Sequence, residues 1–137
     1  MSYWPLRLHP GDDLRRSLEQ AVGIDAGASA FVVAGIGSLS DPRLRLAGAE
    51  TDTVLAGPWE ILSLSGSVSP DGAHLHVAIA DAQGRVIGGH VAYGNVVRTT
   101  AELLLICLPD GQLARELDPA TGFKELVVRP AGRPGPA

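Results

Sequence analysis

The feature that most constrains the fold is one alternating segment, HLHVAIADAQGRVIGGHV, which reads as two strands around a short turn. The turn length sets the register of the hairpin. A two-residue loop would pair Ala80 with Arg85 and direct His90 to the aliphatic face. A three-residue loop would pair Ala80 with Val86 and place His90 opposite His76. The two registers therefore predict different faces for His90.

The turn residues favour the longer loop. Asp81 stands at the first position and Gly84 at the fourth, as a type I turn followed by a bulge prefers. In that register His74, His76 and His90 share one face of the hairpin, and opposed Cβ atoms lie about 4.5–5.5 Å apart. Three neutral imidazoles with an open fourth position are typical of zinc sites. The segment thus predicts a divalent metal site, with zinc as the first choice. The alternative is a solvated or interface face on which three histidines coincide.

The composition describes one packed domain. The chain has 137 residues, of which 45% are hydrophobic and only 4% aromatic, so the core must be built from aliphatic side chains. The 17 glycines and 10 prolines indicate many turns and a large strand content. We expect an α+β domain of about seven mainly antiparallel strands with one or two helices over residues 1–128. Residues 129–137 are then a disordered Pro/Gly-rich tail.

Charge and cysteine content exclude several classes of protein. A net charge of −4 and a single lysine, Lys124, argue against a nucleic-acid-binding surface, which needs clustered cations. One cysteine, Cys107, cannot form an intrachain disulfide, and its apolar surroundings predict an inert, buried thiol. There is no signal-peptide pattern and no apolar run long enough to cross a membrane. These features predict a cytoplasmic protein without membrane contacts.

One helix is expected near the start of the chain. The sequence predicts it over residues 12–22, with Asp12 as the N-cap and Gly23 as the terminator. Its expected buried face is Leu14, Leu18, Ala21 and Val22, and its expected solvent-facing residues are Arg15, Arg16 and Glu19.

Three further residues are candidates for a pocket. Glu60 and Glu102 are candidate general bases toward a metal-bound water, although carboxylates at strand edges can equally serve an interface. Arg115 is a candidate to hold an anion, and the alternative is a structural salt bridge. No particular catalytic residue is assigned.

Several segments together resemble one family. These segments are RLHPGDDLRRSLEQAV, AGIGSLSDPRLR, RELDPATGFKEL and the long block from GPWEILSLSGSVS through the histidine hairpin to TTAELLL. Together they are similar to the plants-and-prokaryotes conserved (PPC) domain. The resemblance implies an α/β fold with a seven-stranded, mostly antiparallel sheet, assembled as a homotrimer. It also implies that His74, His76 and His90 are candidate metal ligands near subunit boundaries.

The resemblance also bears on function. In plants this domain accompanies AT-hook motifs and mediates self-assembly and protein contacts, and bacterial members carry a predicted DNA-binding role. This chain has only an echo of the AT-hook core at residues 131–134, with Ala131 in place of an arginine. We therefore expect a homotrimeric interaction or regulatory module rather than an enzyme, with protein partners and no direct DNA contact. The alternative is a metal-dependent enzyme or a small-molecule-binding protein with sites between subunits.

Overall fold

The computed structural model describes residues 2–130. The echo of an AT-hook and most of the predicted tail lie outside the described residues. Ten strands, one α-helix and one short 3₁₀ helix make up the described part. The strands are β1 (Ser2–Leu8), β2 (Ser29–Ser40), β3 (Arg43–Arg45), β4 (Thr53–Val54), β5 (Pro58–Ser69), β6 (Gly72–Ala80), β7 (Val86–Val91), β8 (Val96–Leu108), β9 (Leu113–Leu117) and β10 (Lys124–Val128).

Eight strands form one antiparallel sheet in the order β1-β8-β2-β5-β6-β7-β3-β4, and β9 and β10 form a separate hairpin. The α+β expectation is thus confirmed, with one more strand in the sheet than the seven expected and two more in the separate hairpin. Long β2, β5 and β8 lie in the interior of the sheet, where both edges of each strand are hydrogen-bonded.

The core is aliphatic, as the composition predicts. Along β6 the alternating Leu75, Val77 and Ile79 are buried, and Leu103 and Leu105 of β8 face the same core. The helix α1 (Leu14–Val22) contributes fully buried leucines and contacts β6 and β8. Burying such aliphatic side chains is the main stabilising contribution in a domain of this size. The opposite face of β6 is left free to carry the histidines.

The helix differs from the sequence prediction at two places. Its N-cap is Asp13, whose carboxylate accepts from the Arg16 amide at 2.9 Å, whereas Asp12 accepts from the His9 amide within the preceding turn. The helix therefore starts two residues later than expected. Glu19, expected in solvent, is only 7% exposed. The prediction failed because this carboxylate finds hydrogen-bond donors inside the protein.

Within residues 2–130 no helix is long and apolar enough to cross a membrane, since α1 has nine residues.

Candidate metal centre

The β6–β7 hairpin has the three-residue loop that its turn residues predict. The Gly84 amide donates to the Asp81 carbonyl, and the Asp81 amide donates to the Arg85 carbonyl, each at 3.0 Å. Gly84 has a φ of +76°, the left-handed conformation that the bulge position requires. The Asp81 carboxylate also accepts from the Gln83 and Arg85 amides at 2.9 Å. The side chain that starts the turn therefore also fixes its geometry.

This register brings the three histidines together. Ala80 pairs with Val86, and His76 pairs with His90. The ring centroids of His76 and His90 are 4.6 Å apart and stacked. His74, two residues along β6, has its centroid 5.0 Å from that of His76 and 5.4 Å from that of His90. One ring nitrogen from each residue lies within 4.8 Å of the other two.

These distances are close to those of a metal site. Zn–N bonds of 2.0–2.1 Å in a tetrahedron place the ligand nitrogens about 3.3 Å apart. The observed separations of up to 4.8 Å are larger, so the rings must rotate about their χ angles to reach that value. Because His74 and His76 are exposed and His90 is half-buried, the rings have room to turn. The cluster can therefore hold one divalent ion and leave a coordination position facing solvent.

The electrostatic environment favours neutral imidazoles. Partial burial, followed by the Arg115 guanidinium and the neighbouring histidines, lowers the pKa of His74, and Glu125 opposes this shift. Partial burial, followed by Arg45 and then His76, lowers the pKa of His90. A metal ligand must present an unprotonated nitrogen. The lowered pKa values thus favour the neutral form of both side chains at neutral pH.

The cluster lies in an open groove of about 1330 Å³. Its walls come from the β3–β4 connection, the start of β6, the end of β7 and the β9–β10 hairpin. Arg115, for which the sequence left a structural role and an anion-binding role open, lines this groove beside His74. Its guanidinium donates to the Ser67 hydroxyl at 2.9 Å, and Ser67 pairs directly with His74 across β5 and β6. The structure therefore brings Arg115 and the histidines to one place.

Glu60 and Glu102 do not line this groove. Glu60 pairs with Ala80, four residues from His76 along β6, which is about 13 Å. Glu102 is on β8, three strands away from β6 and so about 14 Å distant. Neither carboxylate lies close enough to the histidine cluster of the same chain to act as a general base there.

Sequence reasoning missed the charged residues that other elements bring to the groove. Arg45 of β3 pairs with His90, and its guanidinium lies 2.7 Å from the His90 Nδ1 atom. Tyr93 follows β7 and donates to Glu19 at 2.9 Å from either carboxylate oxygen. Glu125 of β10 lines the groove near His74. Only the three-dimensional pairing of β3 with β7, and the return of the β9–β10 hairpin, reveal these neighbours.

The fold and the histidine cluster define a single-domain sheet protein with a candidate metal site on one sheet face. The chain belongs to the Plants and Prokaryotes Conserved (PCC) domain family, whose family model matches residues 1–109. The resemblance seen in the sequence is thereby confirmed.

Solved structures and one curated protein are similar to this chain over nearly its whole length. A hypothetical protein from Salmonella cholerae-suis is 36% identical, with a TM-score of 0.86 and 93% of each chain covered. A metal-containing protein from Archaeoglobus fulgidus is 27% identical, with a TM-score of 0.77 and coverage of 93% of this chain and 94% of that one. The bifunctional protein GlmU of Synechococcus sp. (strain JA-2-3B'a(2-13)) is 45% identical over 135 residues. That match covers 98% of this chain but 21% of the GlmU relative, so the chain spans about one fifth of its length.

Proposed function

We propose that the protein is a homotrimeric binding and regulatory module whose histidine cluster, His74, His76 and His90, holds a divalent metal ion, with zinc as the preferred ion. The observation that carries the proposal is the convergence of three ring nitrogens within 4.8 Å on the β6–β7 hairpin. The metal-containing relative from Archaeoglobus fulgidus supports it. An imidazole-only donor set suits zinc better than magnesium or calcium, which prefer oxygen ligands.

The metal site is tested by comparing two histidine variants. His76→Ala removes the middle ligand, whose side chain is outside the core, and should abolish zinc uptake without changing the far-UV circular dichroism spectrum. His9→Ala is the matched control, because His9 is exposed in the turn before α1 and lies outside the cluster. Zinc content after dialysis and calorimetric titration are the measurements. Equal zinc uptake by wild type and His76→Ala would contradict the assignment.

An exposed apolar face beside the histidines supports self-association. The strand ladder pairs His74 with Ser67, and Ser67 with Phe31. It continues from Phe31 to Ile106, and from Ile106 to Tyr3. Directly paired residues project to the same side of a sheet. Phe31 is 38% exposed and Tyr3 72% exposed. We propose that further copies of the chain cover this face, which would put the histidines near subunit boundaries.

The assembly is tested by light scattering. A trimer has three times the 14.2 kDa mass of the chain. Ile36→Asp places a charge on the same face, at a residue that pairs with Glu102 and is 55% exposed, and should shift the mass toward the monomer. Val54→Asp changes a similarly exposed valine on the edge strand β4 and should leave the mass unchanged. A wild-type monomer at micromolar concentration would refute the proposal.

The regulatory role that we propose acts through protein partners, and a transcription-associated function would need a separate DNA-binding element. The net charge of −4 opposes association with the phosphate backbone of DNA. A cytoplasmic location stays a prediction.

A second candidate function is a metal-dependent enzyme or small-molecule-binding protein. The groove of about 1330 Å³ favours it, because it adjoins the open coordination position of the proposed metal. Glu125 lines this groove and is the carboxylate that would act on a metal-bound water in place of Glu60 or Glu102. Hydrolysis of model esters by the zinc-loaded protein, lost in Glu125→Gln with zinc retained, would favour this candidate over a pure binding module.

A further inference from the structure

Arg45 makes a hydrogen bond that bears directly on the use of His90. The guanidinium nitrogen lies 2.7 Å from Nδ1 of His90. A guanidinium has only donors, so Nδ1 must be the acceptor and carries no proton. In a neutral imidazole the proton is then on Nε2. The two nitrogens of His90 are therefore both engaged, one by Arg45 and the other by a proton.

This arrangement is incompatible with a metal bound to His90. A metal on Nδ1 would take the lone pair that Arg45 uses. A metal on Nε2 would require the proton to move to Nδ1, where it would point at a guanidinium N–H. Metal-bound histidines instead donate their second N–H to a carbonyl or carboxylate. Arg45 must therefore release His90 when a metal binds.

The released guanidinium stays in a groove that already contains a second, incompletely paired arginine. The Nε atom of Arg115 is buried and has no hydrogen-bond partner among residues 2–130. The terminal nitrogen of Arg115 is fixed on Ser67, beside His74. A buried N–H without a partner is destabilising. A ligand with an acceptor oxygen would remove this cost.

The charges of the groove indicate what kind of ligand this is. The cationic side chains along its walls are Arg15, Arg43, Arg45, Arg115 and Lys124. The acidic ones are Glu50, Asp52, Asp71 and Glu125. Asp71 is occupied by the Arg115 amide at 2.8 Å, and Glu125 by the Thr121 hydroxyl at 3.1 Å. A bound dication would add two positive charges beside the arginines.

We propose that the groove binds an anionic oxygen group, that of a phosphate or a carboxylate, between the metal and the guanidinium groups of Arg45 and Arg115. In this proposal, which rests on the proposed metal site, Arg45 exchanges His90 for the anion when the metal binds. Guanidinium groups bind both anions through paired N–H donors. Metal and anion binding are then positively coupled, because each removes the interaction that opposes the other.

The test measures zinc and anion binding separately. Inorganic phosphate and acetate are titrated into the zinc-loaded protein and into the metal-free protein by calorimetry. We expect at least one of them to bind the zinc-loaded protein, and to bind the metal-free protein at least tenfold more weakly. Binding of phosphate alone would identify a phosphate ligand, and binding of acetate alone a carboxylate ligand. Arg115→Gln should lower the affinity of the zinc-loaded protein for the anion tenfold or more and leave the zinc content unchanged.

Arg45→Gln separates competition from a structural role. Without the anion this variant should bind zinc about fivefold more tightly than wild type, since a competing hydrogen bond of about 1 kcal/mol is gone. It should bind the anion more weakly. A purely structural role of Arg45 would weaken zinc binding instead and would overturn the proposal. Arg98→Gln is the control, because Arg98 is exposed on β8 and outside the groove.

The two proposals fail in different ways. If wild type takes up no zinc, the metal site is wrong and the anion proposal falls with it. If zinc binds normally but neither phosphate nor acetate binds the loaded protein, the metal site stands and only the anion proposal is overturned. Equal anion affinity with and without zinc would likewise overturn the coupling alone.

Discussion

Replacing Glu19 by alanine should destabilise the protein strongly, although the residue lies on a helix whose polar positions were expected in solvent. The carboxylate accepts from the Ala73 amide at 2.9 Å, from the Tyr93 hydroxyl at 2.9 Å and from Arg15 Nε at 3.1 Å. It therefore ties α1 to the start of β6 and to the segment after β7. The Ala73 amide is next to His74, so the same contact positions the first histidine of the site.

The size of the effect follows from what each donor can do once Glu19 is gone. Ala73 is buried, so its N–H is left without a partner, at a cost of about 1–3 kcal/mol. Tyr93 is 41% exposed and can turn to water instead. Adding the lost charge-assisted hydrogen bond gives a decrease in unfolding free energy of about 2–4 kcal/mol. For a domain of this length the melting temperature should fall by about 10 °C.

Urea denaturation followed by circular dichroism measures this decrease. Glu19→Gln keeps an oxygen for the Ala73 amide and loses only the charge, so it should cost about 1–2 kcal/mol. Asp110→Ala removes an exposed carboxylate outside the sheet and should change stability by less than about 0.5 kcal/mol. A loss below about 1 kcal/mol for Glu19→Ala, or equal losses for the alanine and glutamine variants, would refute the reasoning.

Three other predictions follow from the same structure. In the metal-free protein the lowered pKa values of His74 and His90 mean that the unfolded chain binds more protons below about pH 6.5. The unfolding free energy should thus be highest above that pH and should fall as the pH drops through the folded-state pKa values. Urea titrations at pH 7.5 and 5.0 should show this decrease. A double variant with asparagine at both positions should lose less unfolding free energy between these two pH values. Gly66→Ala would place a Cβ against the His74 carbonyl oxygen at a φ of +151°, so it should cost about 3 kcal/mol or more and impair zinc uptake. Gly57→Ala, with a φ of +88° and open space around it, should cost about 1 kcal/mol in the same denaturation assay. The protein should not bind duplex DNA with submicromolar affinity at physiological salt. A fluorescence-anisotropy titration that shows such affinity, with a steep salt dependence, would contradict this.

The sequence was sufficient to predict the hairpin and its histidines because local rules decide them. Asp81 and Gly84 set the loop, the loop sets the register, and strict alternation then assigns each side chain to a face. No information from distant parts of the chain is needed. The same holds for the end of the helix, where Gly23 takes the left-handed conformation at φ +83°.

Residues at the boundary of a local pattern were predicted less well. Glu19 lies about 60° from Val22 around the helix axis, at the edge of the apolar face. At that position the helical periodicity does not distinguish a buried side chain from an exposed one. What decides it is Tyr93 and the Ala73 amide, which come from 74 and 54 residues further along the chain. The predicted helix start was also wrong. Asp12 and Asp13 are adjacent and both fit the N-cap pattern, so the sequence alone did not identify which of them caps the helix.

The groove shows the same limit of sequence reasoning at the level of the site. Arg45 reaches His90 only because β3 pairs with β7, and that contact consists of two residue pairs, Leu44 with Val91 and Arg45 with His90. The histidines sit on strands β6 and β7, and the pairing of these strands sets the backbone positions of the three residues. The exchange proposed for Arg45 then requires a side-chain rotation at an exposed position, a motion on the picosecond-to-nanosecond scale, and no strand shift. In the proposed site the hairpin would thus set the geometry of the metal, and Arg45 would control how strongly the metal is held.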